Sequence, residues 1–201
     1  PAATSGATTA RCLIYVTPDA ERTMCTFLGA STQLEPDDLD LSMVSDTKVL
    51  YLEGYLWDSP AAKRAFIAAA EACRAANGQV ALSLSDGFCV DRHRDSFLDL
   101  VNGHVDVLFA NEVEIKSLYQ TDDFDTALES VRGSCSVIAI TRGSQGSVVL
   151  SGDQRWDIGI VGLGELIDTT GAGDLYAGGF LHGYTQGESL ERCGKLGAIC
   201  A

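Results

Sequence analysis

Val105-Asp106-Val107-Leu108-Phe109-Ala110 runs directly into Asn111-Glu112-Val113-Glu114. A short run that is apolar at successive positions fits a strand covered on both faces, as parallel strands between helices are. The same alternation recurs on either side. Upstream, Lys48–Glu53 (KVLYLE) reads as a strand, and a helix follows over Ser59–Asn77. Ser59 can cap that helix, Pro60 takes its first position, alanines fill its interior and Asn77-Gly78 closes it. Gln79–Leu84 reads as the next strand, and Asp91–Val101 as a helix stopping at Asn102-Gly103. Downstream, Glu112–Tyr119 and Asp122–Arg132 read as helices and Ser136–Ile140 (SVIAI) as a strand. Strands and helices alternating from 48 to 140 predict an α/β fold: a mostly parallel sheet flanked by helices on both faces.

The flanks extend this core. Arg11–Thr17 and Glu21–Leu28 read as two strands about a turn at Thr17-Pro18-Asp19-Ala20, and residues 1–10 as loop. Val148–Leu150 and Trp156–Val161 suggest two antiparallel strands, and Thr170–Tyr184 and Glu188–Ala201 two helices. The acidic pairs Asp122-Asp123 and Asp37-Asp38 suit helix starts, where the dipole favours negative charge. The 201 residues suit one α/β domain spanning 1–201.

Composition narrows the partners. With 28 acidic and 14 basic side chains the net charge is −14, which repels phosphate backbones and anionic lipid. No apolar run reaches the roughly 18 residues of a membrane span. Nucleic acid and membrane are therefore not expected partners. The seven cysteines are odd in number and form no C-x-x-C pair. They read as reduced thiols in a cytoplasmic protein. Three histidines, none paired with a cysteine, argue against zinc.

The chemistry concentrates in Asp168-Thr169-Thr170-Gly171-Ala172-Gly173-Asp174. Small residues at 171–173 let a ligand approach the backbone, and a helix starting there directs unpaired N–H groups at an anion such as a phosphate. Asp174, beside that hole, can accept a proton from a hydroxyl attacking phosphorus. The alternative is a glycine-rich turn with Asp174 as a plain cap. Gly194-Lys195-Leu196 lacks the spacing and hydroxyl of a Walker A loop, and Gly162-Leu163-Gly164 lacks the third glycine of a dinucleotide fingerprint.

DTTGAGD with the small-residue helix behind it resembles the C-terminal signature of the PfkB (ribokinase-like) carbohydrate and nucleoside kinases. Asn111-Glu112-Val113-Glu114 resembles that family's N-x-x-E motif, and Thr141-Arg142-Gly143-Ser144-Gln145-Gly146 its T-x-G-x-x-G turn. The three occur in order, each after an apolar strand, and RCLIYVTPDAERTMCTFLGAS is similar to the adenosine kinase-like branch. The resemblance implies transfer of the ATP γ-phosphate to a hydroxyl of a sugar or nucleoside, adenosine being favoured. By it Asp174 is the general base and the amides of Gly171, Ala172 and Gly173 form the anion hole.

The same resemblance makes Asn111 and Glu114 holders of Mg²⁺ through its water shell. Their spacing equally suits a capping box, with Asn111 as N-cap. Thr141, Gly143 and Gly146 suit a nucleotide-lining turn, which can also be a plain hairpin, and Arg142 either touches phosphate or is a surface side chain. Asp168 and Thr170 match positions that help bind a monovalent cation such as K⁺. Arg22 matches an arginine that reaches phosphate, with a rim salt bridge as the alternative. Residues 1–30 are expected to place strands near the lid. The family's opening N-terminal segment and its extreme C-terminus have no counterpart here. A non-catalytic nucleotide-binding module is therefore the competing expectation, and a phosphate-binding oxidoreductase a third.

Overall fold

The structure is a computed structural model that describes residues 6–19, 22–162, 164 and 166–201. Two strands, β1 (Arg11–Val16) and β2 (Arg22–Phe27), pair antiparallel into a separate ribbon. The body is built on a six-stranded sheet in the order β3 (Val49–Glu53), β4 (Gln79–Ser83), β5 (Val107–Asn111), β6 (Val137–Thr141), β7 (Ser147–Ser151), β8 (Gln154–Ile158). β3 to β6 run parallel, and β7 and β8 return antiparallel. α1 (Leu41–Ser45) precedes β3, and between the strands that follow lie α2 (Pro60–Ala75), α3 (Gly87–Arg92), α4 (Arg94–His104), α5 (Glu112–Tyr119) and α6 (Phe124–Val131). After β8 come α7 (Ala172–Thr185) and α8 (Leu190–Cys200).

Residue alternation along the strands explains the uninterrupted apolar runs. Leu82, Leu108, Ile138 and Ile140 face one layer, where they pack with Phe66, Phe97, Leu118 and Leu128 from α2, α4, α5 and α6. Ala81, Val107, Phe109 and Val149 face the other, against Tyr176, Ala177, Phe180 and Cys193 from α7 and α8. Phe109 meets Phe180 edge to face, with ring centroids 5.3 Å apart. The parallel strands β3 to β6 thus have hydrophobic cover on both sides, the condition under which parallel sheets are found.

Capping follows local chemistry. Ser59 Oγ accepts the Ala62 N–H, with Pro60 at the first helical position. Asp123 caps α6 by accepting from Thr126 N at 2.7 Å, and Asp37 and Asp38 lie in a short 3₁₀ turn.

Three expectations need correction. The helix expected over Asp91–Val101 is two helices, α3 and α4, broken at His93 (φ −122°, ψ 25°), and α4 continues through Asn102-Gly103 to His104. The strand expected to reach Val161 ends at Ile158, where its pairing with β7 stops. The helix expected from Thr170 begins at Ala172, after Gly171 in left-handed geometry. Ala20 and Glu21 of the predicted turn and strand, residues 1–5 of the predicted loop, and Leu163 of the glycine pair lie outside the described residues.

Candidate active site

The parallel strands end on one side of the sheet at Glu53, Ser83, Asn111 and Thr141, and open α/β sheets bind ligands beyond such carboxyl ends. There a cavity of about 990 Å³ opens between the strand ends, the first turn of α7 and the ribbon. Thr170, Gly171, Ala172, Gly173 and Asp174 all line it, as do Asn111, Glu114, Thr141, Gly143 and Arg22. Residues more than 150 positions apart in the chain therefore share one wall.

The start of α7 sets the geometry of its amides. Gly171 takes φ +78°, which a side chain would strain, and passes the chain into the helix. A Cβ on Gly173 would meet only open space, so a ligand can reach this backbone. The three-amide hole needs one revision. The Ala172 N–H is engaged, donating to the Thr169 carbonyl at 3.1 Å. Gly173 and Asp174 occupy the next positions of the first turn, where N–H groups have no intrahelical acceptor. The Asp174 side chain is exposed in the cavity rather than folded under its neighbours. Before the helix, Asp168 Oδ1 accepts from both Thr170 N (2.8 Å) and Thr170 Oγ1 (2.7 Å), which lowers its carboxyl below the usual value.

Asn111 and Glu114 form a reciprocal capping box. Glu114 N donates to Asn111 Oδ1 at 2.8 Å, while Asn111 N and Nδ2 donate to the Glu114 carboxylate at 2.9 and 2.7 Å. Glu114 is 5% exposed yet still borders the cavity. Burial lifts its carboxyl to about 7; the Asn111 N–H lowers it, and the Asp86 and Glu53 charges raise it further. The body wall is thus crowded with carboxylates, whereas the lining arginines, Arg11 and Arg22, belong to the ribbon. That donor set suits a cation held through water. Among the described residues no three His, Cys, Asp or Glu side chains stand close enough to hold a metal directly.

The turn after β6 is a hairpin: the Arg142 and Gly146 backbones pair at 2.8 Å around a 3₁₀ turn over Gly143–Gln145. Gly146 has φ +82°, and a Cβ there would stand 2.0 Å from the Ile158 carbonyl oxygen, so the close approach of β8 requires glycine. Arg142 is neither free on the surface nor on the cavity wall. Its Nε donates to Glu112 Oε2 at 2.9 Å, and its guanidinium lies 3.8 Å over the Phe124 ring centroid. Arg22 does face the cavity, and its Nη1 donates to Thr169 Oγ1 at 2.8 Å, tying the ribbon to the loop before α7.

Other lining residues lie outside the three motifs. Ser85 (φ +65°) donates to Glu53 Oε2 at 2.7 Å and accepts the Gly54 N–H at 2.9 Å, fixing the chain as it leaves β3. Asp86 caps α3 on the same wall, and Tyr55 and Asp58 complete it from the 3₁₀ segment Gly54–Asp58. Ser83, Ser85 and Asp86 follow a strand, a position that hints at a ligand. Nothing local marks Glu53, Tyr55 or Asp58.

Comparison with known proteins agrees with the fold and the family. Residues 2–201 match the family described as pfkB family carbohydrate kinase. The adenosine kinase of Sinorhizobium meliloti superposes with a TM-score of 0.93 at 50% identity, over 96% of this chain and 59% of that one. The adenosine kinase of Saccharomyces cerevisiae is 29% identical over 94% of this chain and 58% of its own length. A nucleoside kinase of Methanocaldococcus jannaschii is 36% identical over 54% of this chain and 35% of its own. The chain belongs to the pfkB family of carbohydrate kinases, and it spans between about a third and three fifths of these relatives. Membership sets aside the oxidoreductase alternative. Among the described residues no helix is long and apolar enough to cross a membrane.

Proposed function

We propose that this chain carries the catalytic centre of an ATP-dependent kinase that transfers the γ-phosphoryl group to a hydroxyl of a sugar or nucleoside. Adenosine is the favoured acceptor, supported by the 50% identity to an adenosine kinase. The observation that carries the reading is the exposed Asp174 carboxylate beside the open first turn of α7, both facing the common cavity.

In this reading Asp174 accepts the proton of the acceptor hydroxyl. The hydroxyl oxygen then bonds to the γ-phosphorus, the bond to the bridging oxygen breaks, and ADP leaves. The N–H groups of Gly171, Gly173 and Asp174 and the dipole of α7 stabilise charge on the transferring group. Alignment and charge stabilisation carry most of phosphoryl-transfer catalysis, so one carboxylate and a few amides suffice on the protein side. Asn111 and Glu114 would hold Mg²⁺ through its waters, and when bound it supplies neutralisation of phosphate charge. Asp168 and Thr170 would contribute to a monovalent-cation site.

Thr141 and Gly143 line the nucleotide side, and the ribbon serves as a lid whose Arg22 can exchange Thr169 for a phosphate oxygen. Arg142 and Gly146 support the site as structure. A panel of nucleosides and sugars, scored by ADP release from ATP, tests the proposal. Acceptor-dependent ADP release with adenosine foremost is expected. ATP binding without acceptor-dependent release would replace the kinase with a nucleotide-binding module.

A further inference from the structure

Asp58, His93 and Lys63 form a polar chain between the main cavity and a separate groove on the outer face of α2 and α4. Asp58 borders the cavity, whereas Lys63, Trp57 and Ser96 border the groove, whose volume is about 450 Å³. His93 Nε2 lies 2.7 Å from Asp58 Oδ1, and His93 Nδ1 lies 3.4 Å from Lys63 Nζ. Lys63 also donates to Ser96 Oγ at 3.1 Å and stands 5.3 Å from the Trp57 ring centroid. Trp57 Nε1 donates to the same Ser96 oxygen at 2.9 Å. The break between α3 and α4 falls at His93 itself, which lets its ring reach both partners.

The partners assign the tautomer. An ammonium has donors only, so Nδ1 must offer Lys63 its lone pair, and the ring hydrogen must sit on Nε2, facing Asp58. A second proton has only Nδ1 to occupy, where it would point at the Lys63 ammonium. The charged groups facing the ring are Asp58 from the 3₁₀ segment, Lys63 from α2 and Arg92 from α3. Arg92 holds Asp58 through Nη2 at 2.9 Å. On α4, Arg94 is turned to the Leu118 carbonyl and Asp95 projects into solvent. Burial acts to raise the Asp58 carboxyl, but Arg92 and His93 outweigh it and hold it below its usual value. Asp58 therefore stays charged where imidazoles titrate.

We propose that His93 is a proton-operated catch: neutral, it seats Lys63 over Trp57; protonated, it displaces Lys63 toward the groove, where Glu71 and Asp99 stand. Loss of that seat loosens the segment Gly54–Asp58, which carries Tyr55 and Leu56 into the cavity wall. The cavity rim thereby responds to pH through residues outside the phosphoryl-transfer machinery. None of this rests on the kinase reading, and its test needs no substrate.

The protein labelled with 5-fluorotryptophan is followed by ¹⁹F NMR from pH 5 to 8, with the Trp57 resonance assigned by its loss in Trp57→Phe. A sigmoidal shift of that resonance is expected. It should vanish in His93→Gln and lose most of its amplitude in Lys63→Met, while ¹⁵N-labelled His93 still titrates in Lys63→Met. The ¹⁵N spectrum at high pH should place the hydrogen on Nε2. A hydrogen on Nδ1, a flat Trp57 response in the parent protein, or a response undiminished in either variant overturns the proposal. Should His93→Gln fail to fold, the tautomer and Lys63→Met decide alone.

Discussion

Replacing Asp174 by Asn tests the proposed chemistry at its centre. The side chain is exposed at the third position of α7 and fills no packed space, so Asn fits without steric cost. What the fold loses is an acid in the helix's first turn, worth about 0.3–1 kcal/mol. For a chain of this size that corresponds to a Tm drop of roughly 1–4 °C. The catalytic loss is expected to be far larger. A positioned general base contributes about 10²–10⁴-fold, or about 2.7–5.5 kcal/mol of transition-state stabilisation. Because the base acts only as the proton moves, kcat should fall by that factor while ATP affinity stays within about twofold. Steady-state ADP release with adenosine, paired with ATP titration calorimetry and a thermal melt, separates the three quantities. A variant with intact melting and near-normal kcat would remove Asp174 from the proton transfer. One that loses kcat only in proportion to folded protein would reduce it to a helix cap.

Gly146→Ala should destabilise the protein by several kcal/mol, since a Cβ 2.0 Å from the Ile158 oxygen must push β8 away at a residue already at positive φ; a melt within about 2 °C of the parent would contradict that geometry. Arg142→Met should lower Tm through loss of the Glu112 ion pair and the Phe124 contact, with KM for ATP changed less than twofold; a tenfold rise in KM at unchanged Tm would place the guanidinium on phosphate. The folded Glu114 carboxyl, raised by burial to about 7, binds its proton more tightly than the unfolded one. Its contribution to stability is therefore fullest below the unfolded value near about 4.3 and is lost as pH rises through about 7. Melts from pH 5 to 8 should show that loss in the parent and not in Glu114→Gln. The same titration should raise the Mg²⁺ requirement as pH falls below about 7, because only the carboxylate attracts the cation's water shell; a Mg²⁺ titration identical at pH 6 and 8 would leave Glu114 as a cap alone.

Much of this protein is written in short-range pattern. Runs such as Val107–Ala110 are apolar at every position because helices cover both faces of their strands, so a one-dimensional pattern already implies a three-layer arrangement. Ser59-Pro60, Asn111 with Glu114, and Asp123 mark helix starts because each closes hydrogen bonds within four residues of itself. The glycine-rich turn before Asp174 belongs to the same class.

Tertiary structure decided what depends on distant partners. Only packing turns Arg142 away from the cavity, since Glu112 and Phe124 come from other elements. Only topology brings Glu53, Asp86 and Glu114 to one wall, and only burial there lifts a glutamate toward neutrality. Asp91–Val101 carries no local breaker, yet the helix parts at His93, whose ring meets Asp58 and Lys63 across a gap of some 30 residues. The physical reason is common to all three cases. Hydrogen bonds between near neighbours can be read from spacing, whereas desolvation and side-chain pairing between distant segments depend on a geometry that exists only once the sheet has assembled.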